Sequence, residues 1–137
     1  MAKKIAIIGG SGALGAGLAK RWAKAGHEIV VGSRDAARAA EAAERLNQEA
    51  GTSTIAGTGN PEAAAACGIV VLTVPYANQM PTLDAIAPAL DGKILVDVTV
   101  PLVPPKVRTV HVPESGSCAK AAQDKLGDGV RVVSAFQ

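Results

Sequence analysis

Aromatic residues are nearly absent from this sequence: Trp22, Tyr76 and Phe136 are the only three among 137 residues. A hydrophobic core must therefore be built from Ala, Val, Ile and Leu. Charge is also scarce and balanced, with 19% charged residues and a formal net charge of +2. Such a small excess gives no reason to expect a nucleic-acid partner or an anionic membrane surface. With 48% hydrophobic residues, the composition also excludes a disordered chain.

Cysteine and long apolar runs are scarce too. The two cysteines, Cys67 and Cys118, have neither metal-ligand spacing nor the density of a disulfide framework, and they are predicted to be small core residues. The apolar run at residues 5–8 ends at a glycine pair, short of the core of a signal peptide. No stretch reaches the length of a membrane helix. We therefore expect one cytoplasmic domain over residues 1–137, with no bound metal and no catalytic side-chain set.

Short β-branched runs alternate with helical patterns along the whole chain, which is typical of a parallel α/β sheet. Leu14, Leu18 and Trp22 recur every four residues in the first helix, and Asn60 is expected to be the N-cap of a short helix. The predicted strands are 4–8, 28–31, 54–56, 69–74, 93–98 and 130–133; the predicted helices are 13–25, 35–50, a short one from 60, 78–90 and 119–126. This order predicts a Rossmann-type doubly wound parallel sheet of six strands, ordered 3-2-1-4-5-6, with helices on both faces.

A glycine-rich loop lies between the first strand and the first helix. Gly10, Gly12 and Gly15 satisfy the G-x-G-x-x-G pattern in the strand–turn–helix context that dinucleotide binding requires. We expect Gly10 to permit the tight turn, Gly12 to let the backbone approach a pyrophosphate, and Gly15 to let helix and strand pack closely. The free N–H groups of the helix N-terminus would face the phosphates. The predicted cofactor-binding residues here are Gly10, Ser11, Gly12, Ala13 and Leu14.

The same loop also allows a second interpretation. Gly9, Gly12 and Gly15 have the spacing of short-chain-dehydrogenase-like folds, whose enzymes carry a Tyr-x-x-x-Lys pair. Tyr76 is the only tyrosine, and Met80 stands four residues after it, so that chemistry is absent.

The end of the second strand bears on the choice between NAD and NADP. An NAD-specific site places Asp or Glu about 20 residues after the glycine loop, whereas this chain has Gly32-Ser33-Arg34. Ser33 can donate a hydrogen bond to a 2′-phosphate, Arg34 can form a forked charged pair with it, and Arg38 lies one helical turn later. These residues predict a preference for NADP. The alternative is that they are ordinary solvated charges, with Asp35 neutralising Arg34.

Thr73, Val74 and Pro75 follow the fourth strand, at the switch point where an open parallel sheet binds its ligand. We expect their backbone to line the nicotinamide and its ribose. Asp97 and Thr99 end the fifth strand at the same edge of the sheet, in either a binding or a structural role.

Four segments resemble the NADPH-dependent reductases of the 8-hydroxy-5-deazaflavin coenzyme (coenzyme F-420). They are IAIIGGSGALG (5–15), GHEIVVGSR (26–34), VLTVPY (71–76) and KILVDVTVP (93–101), and the closing VVSAF (132–136) also fits this family. The resemblance implies a Rossmann domain that binds NADP(H) and exchanges hydride directly with the deazaflavin. It also implies that Ser11, Ser33, Arg34 and Arg38 hold the 2′-phosphate and that residues 73–75 line the nicotinamide end.

Members of that family continue into a smaller C-terminal region that helps to bind deazaflavin and to form the dimer. This sequence stops at Gln137, so we expect an incomplete reductase with an intact NADP site and a tendency to form a homodimer or to self-associate otherwise. Two other hypotheses remain open. One is a non-catalytic NADP(H)-binding module or redox sensor, and the other is a dehydrogenase acting on another acceptor, such as an imine or a metal ion.

Overall fold

Six parallel strands form one sheet in the order β3-β2-β1-β4-β5-β6, which confirms the predicted order. The computed structural model describes residues 1–137. The strands are β1 (Lys4–Ile8), β2 (Glu28–Ser33), β3 (Ile55–Gly59), β4 (Ile69–Leu72), β5 (Ile94–Asp97) and β6 (Arg131–Ser134). The helices are α1 (Ala13–Lys24), α2 (Ala36–Ala50), α3 (Asn60–Ala66), α4 (Gln79–Ile86) and α5 (Cys118–Leu126), with single 3-10 turns at Tyr76–Asn78 and Ala87–Ala89.

The strand register brings the functional loops to one edge of the sheet. Ile8, the last residue of β1, is paired with Gly32 of β2 on one side and with Leu72 of β4 on the other. Because parallel strands all run in the same direction, the loops that follow β1, β2 and β4 emerge side by side. The glycine loop therefore lies between the segment after β2 and the segment after β4.

Helices cover both faces of the central strands β1, β2 and β4, so these strands are buried on each side. Ile8 and Leu72 belong to the core beneath α3, α4 and α5, whereas Ile7 and Val31 belong to the core beneath α1 and α2. The buried residues of α1 are Gly15, Ala19 and Ala23, small residues that let the helix lie close to the sheet. The predicted Leu14–Leu18–Trp22 stripe is only partly buried, and Leu14 is 46% exposed.

Two local predictions are corrected, for Asn60 and for the helix over residues 78–90. Gly59, not Asn60, is the N-cap of α3; Asn60 is the first helical residue, and its side chain makes no capping hydrogen bond. Gly10 lies in the turn, as predicted, and the positive φ of that turn, 76°, is at the neighbouring Gly9. The long helix predicted over residues 78–90 is divided into α4 and a 3-10 turn.

Residues 98–117 contain no helix or strand; this proline-rich segment includes Pro101, Pro104, Pro105 and Pro113. Cys67 and Cys118 are free and buried, as predicted for core residues. No helix combines the length and the apolar character needed to cross a membrane.

Candidate functional site

The glycine loop turns immediately after β1. A Cβ atom on Gly9 would lie 2.9 Å from Val74 Cγ1, and one on Gly10 would lie 2.8 Å from the Ile7 carbonyl oxygen. Both distances are too short for a side chain, so the protein itself requires glycine at positions 9 and 10. Gly10 therefore packs behind the loop instead of facing the groove described below.

Gly15 and Gly12 differ in what surrounds them. A Cβ on Gly15 would lie 2.6 Å from Gly10 Cα and 2.7 Å from Thr73 Oγ1, so this glycine permits the close packing that was predicted for it. A Cβ on Gly12 would meet only the Gly9 carbonyl oxygen, at 3.4 Å, which is an ordinary contact. The protein's own packing gives no reason for glycine at position 12. A group approaching from outside the protein would supply one.

The first turn of α1 presents unused hydrogen-bond donors. Gly12 is the N-cap and offers no side-chain oxygen. The N–H groups of Ser11, Ala13 and Leu14 have no acceptor in the protein, whereas the Ala16 N–H already donates to the Gly12 carbonyl at 2.8 Å. Free donors at a helix N-terminus, where the dipole is positive, suit a phosphate.

The segment after β2 supplies two arginines without carboxylate partners. Asp35 is the N-cap of α2, and its Oδ1 accepts hydrogen bonds from the backbone N–H groups of Ala37 and Arg38, at 2.9 and 3.3 Å. Arg34 and Arg38 are exposed, and neither takes part in an ion pair. Asp35 therefore caps a helix and does not neutralise Arg34. Ser33 is half-buried beside them, and its Oγ accepts from the Asp35 N–H at 3.2 Å.

Thr73 ties the segment after β4 to the end of β1. Its Oγ1 and its backbone N–H both donate to the Ile8 carbonyl, at 2.8 and 2.9 Å. Because the backbone is held there, Val74 and Pro75 are directed along the edge of the sheet next to the glycine loop.

These elements form one groove with a polar half and an apolar half, which share Gly12, Thr73, Val74 and Pro75. The polar half, about 300 Å³, includes Ser33, Arg34 and Arg38. The apolar half, about 530 Å³, includes Leu14, Tyr76, Val98, Val100, Leu102 and Val107. Of the eleven residues predicted from the sequence, all but Gly10 line this groove.

Sequence reasoning missed several residues of the groove. Asn60, Asn78 and Thr82 line the polar half. Asn60 is only 7% exposed, and its Oδ1 has no hydrogen-bond partner. Val100 and Val107 come from the proline-rich segment, where no periodic pattern indicates which side chains face inwards.

A buried hydrogen-bond network fixes the apolar half from behind. Asp97, which is 1% exposed, accepts hydrogen bonds from Gln79 Nε2 at 2.8 Å and from the backbone N–H and Oγ1 of Thr99 at 2.9 and 2.8 Å. Gln79 Nε2 also donates to the Cys118 carbonyl at 2.8 Å. Asp97 therefore has a structural role, since it joins the starts of α4 and α5 to the end of β5. Thr99 belongs to the same network and also lines the apolar half.

The thiols are unsuited to nucleophilic chemistry. Burial raises the pKa of Cys67 and of Cys118 above the ordinary value of 9.0, and a hydrogen bond with Thr99 only partly offsets this for Cys118. Both thiols therefore stay protonated at neutral pH. No three His, Cys, Asp or Glu side chains are grouped so as to hold a metal ion.

Comparison with known proteins identifies the family to which this chain belongs. A family model described as "NADP oxidoreductase coenzyme F420-dependent" matches residues 4–101, well over half of the chain. Two relatives named "F420-dependent NADP reductase" are those of Methanothermobacter thermautotrophicus, 43% identical over 99% of this chain, and Methanocaldococcus jannaschii, 39% identical over 98%. The chain spans 61% and 62% of the length of these two relatives.

Solved structures agree with the fold. A protein from Arthrobacter sp. FB24, also described as an F420-dependent NADP reductase, superposes with a TM-score of 0.81 at 27% identity. The match covers 96% of this chain and 61% of that one. Lactate dehydrogenase from Eimeria maxima reaches a TM-score of 0.67 at 16% identity, covering 98% of this chain and 43% of that one, a likeness of fold alone. The Rossmann fold and the resemblance found in the sequence are both confirmed. The chain belongs to the family of coenzyme F420-dependent NADP oxidoreductases.

Proposed function

We propose that the groove binds NADP(H), with the adenosine 2′-phosphate in the polar half and the nicotinamide in the apolar half. The observation that carries this proposal is the pair of exposed arginines, Arg34 and Arg38, which have no carboxylate partner and lie beside Ser33. A 2′-phosphate is the part of NADP that NAD lacks, and guanidinium groups bind phosphate through forked, charge-assisted hydrogen bonds.

The remaining features of the polar half fit the same ligand. The free N–H groups of Ser11, Ala13 and Leu14 can donate to the pyrophosphate. The absence of a side chain at Gly12 lets the backbone come close to it. When bound, NADPH supplies the hydride, so the protein's task is to orient the nicotinamide and to exclude water.

We propose further that the hydride acceptor is a deazaflavin, coenzyme F420, as in the names of the relatives. The apolar half suits a flat ring placed against the nicotinamide, because its lining is mostly aliphatic. Tyr76 is the only titratable side chain in that lining. A direct hydride exchange, which needs two rings in close register more than it needs an acid or a base, fits such a surface.

We also propose that the chain forms a homodimer. The edge strand β6 has one unpaired side in this chain. Val133 of β6 is 47% exposed, and Phe136, which follows the strand and packs against Trp22, is 51% exposed. Apolar side chains on an open strand edge favour association with another chain. Light scattering after size-exclusion chromatography tests this: a molar mass of one chain at every concentration would contradict it.

The nucleotide proposal is tested by calorimetric titration with NADPH and, separately, with NADH. We expect NADPH to bind at least about tenfold more tightly, because the arginines contact a group that NADH lacks. Equal binding of both nucleotides would contradict the assignment of the polar half.

The deazaflavin proposal is tested separately by following oxidation of NADPH in the presence of coenzyme F420. Binding of NADPH without turnover on any acceptor would favour the non-catalytic binding module instead.

A further inference from the structure

Asn60 is a buried polar residue whose hydrogen-bonding capacity the protein leaves unused. Its Oδ1 is the only buried side-chain nitrogen or oxygen atom without a partner. The other buried polar residues, Gln79, Asp97 and Thr99, all take part in the network behind the apolar half. An unpaired buried acceptor destabilises the folded protein. A donor from outside the protein would remove that cost.

The position of Asn60 indicates which part of a ligand would reach it. The residue lines the polar half of the groove together with Ser33 and Arg34, and it also lines a neighbouring cleft of about 540 Å³ that includes Thr58 and Pro61. A Cβ atom on Gly32, the residue before Ser33, would lie 2.7 Å from Asn60 Oδ1. The amide is therefore next to the strand end where the 2′-phosphate is proposed to bind.

The chemistry of the amide narrows the choice of partner. A phosphate at pH 7 presents acceptor oxygens, so it cannot satisfy Oδ1. The 3′-hydroxyl, which neighbours the 2′-phosphate on the same ribose, both donates and accepts. It can therefore donate to Oδ1, which the phosphate cannot do.

We propose that Asn60 binds the 3′-hydroxyl of the adenosine ribose and is a specificity residue of the nucleotide site alongside Arg34 and Arg38. This inference rests on the proposed NADP(H) function. It assigns a binding role to Asn60, for which the sequence alone predicts only a role as a helix cap.

The test uses the whole 137-residue chain and the probe adenosine 2′,5′-bisphosphate, which carries the 2′-phosphate and the 3′-hydroxyl. Replacing Asn60→Ala should weaken binding about five- to tenfold, since one hydrogen bond is lost. The unfolding temperature of the ligand-free protein should change little, because no hydrogen bond within the protein is broken. The control Gln48→Ala removes an exposed amide from α2 and should leave affinity unchanged.

The decisive arm changes the ligand instead of the protein. The wild-type chain should bind the 3′-deoxy analogue of the probe about five- to tenfold more weakly, and the Asn60→Ala variant should bind both probes equally. Wild-type protein that does not distinguish the two probes would overturn the proposal, even if the variant fails to fold.

Two further outcomes are separable. One uses the inosine analogue of the probe, in which hypoxanthine replaces adenine. If the wild-type chain binds this analogue more weakly than the probe, but the variant does not, and the 3′-deoxy analogue binds normally, then the amide contacts the purine. The hydroxyl assignment is then wrong. If the wild-type chain binds none of the probes and also fails to bind NADPH, the proposed function fails before Asn60 is tested.

Discussion

Replacement of Arg34 tests the nucleotide assignment most directly. Arg34 is exposed and unpaired, so Arg34→Ala breaks no ion pair or side-chain hydrogen bond within the protein, and its stability should be unchanged. A hydrogen bond to a charged group contributes about 1.5–3 kcal/mol. Because this side chain is exposed and solvent screens the pair, we take the lower end, about 1.5 kcal/mol, which corresponds to about tenfold in the dissociation constant.

The assay is titration of the wild-type and variant chains with NADPH and with NADH. NADPH affinity should fall about tenfold, and NADH affinity should stay the same, since only NADPH carries the 2′-phosphate. Added salt should weaken NADPH binding to the wild-type chain more than to the variant, because one charge pair is missing from the variant.

A matched control is available on α2, the helix that follows Arg34. Arg45 lies on α2 two turns beyond Arg38, about 10 Å further along, and pairs with Glu49 at 3.6 Å. Arg45→Ala makes the same change in net charge away from the groove and should leave the affinity for both nucleotides intact. The reasoning is refuted if Arg34→Ala weakens NADH and NADPH equally, or if Arg45→Ala has the same effect as Arg34→Ala.

Three other predictions concern the loop and the core. Gly12→Ala should weaken NADPH binding at least about tenfold while leaving the unfolding temperature unchanged, because the added methyl projects toward the ligand and not into the protein; normal binding would contradict the role of this glycine. Gly15→Ala should instead destabilise the fold by about 1–3 kcal/mol in a denaturant titration, since its Cβ would lie 2.6 Å from Gly10 Cα; an unchanged midpoint would contradict the packing argument. Burial raises the pKa of Cys67 and Cys118 in the folded state, so both thiols favour folding while protonated, and stability should fall as pH rises through 9 and above. A Cys67→Ala/Cys118→Ala variant should lose less stability than the wild-type chain over that alkaline range, measured by thermal unfolding; parallel curves would show that the thiols do not contribute.

Much of the architecture could be predicted from the sequence because the signals are local. Buried parallel strands are short continuous apolar runs, and Gly51 ends α2 at a φ of 68°, a conformation that glycine adopts readily. The strand order followed from alternating strands and helices joined by right-handed crossovers. The polar half of the groove was also predictable, since a glycine loop and the residue type at the end of β2 each have a known physical task.

Tertiary structure alone decided the finer geometry. The requirement for glycine at positions 9 and 10 depends on how close Val74 and Val31 come to the loop, and these residues belong to the segment after β4 and to β2, respectively. Asn60 was consistent with a helix cap in the sequence, and only the packing of α3 against Gly32 buries its amide at the edge of the groove.

The apolar half of the groove was the least predictable part. It combines Leu14 from α1, Val74 from the segment after β4 and Val100 from an irregular segment. Such residues are brought together by strand register and loop path, which are global properties of the packed chain. The sequence by itself therefore determined the fold and the residues suited to phosphate, whereas tertiary packing determined which side chains meet around a ligand.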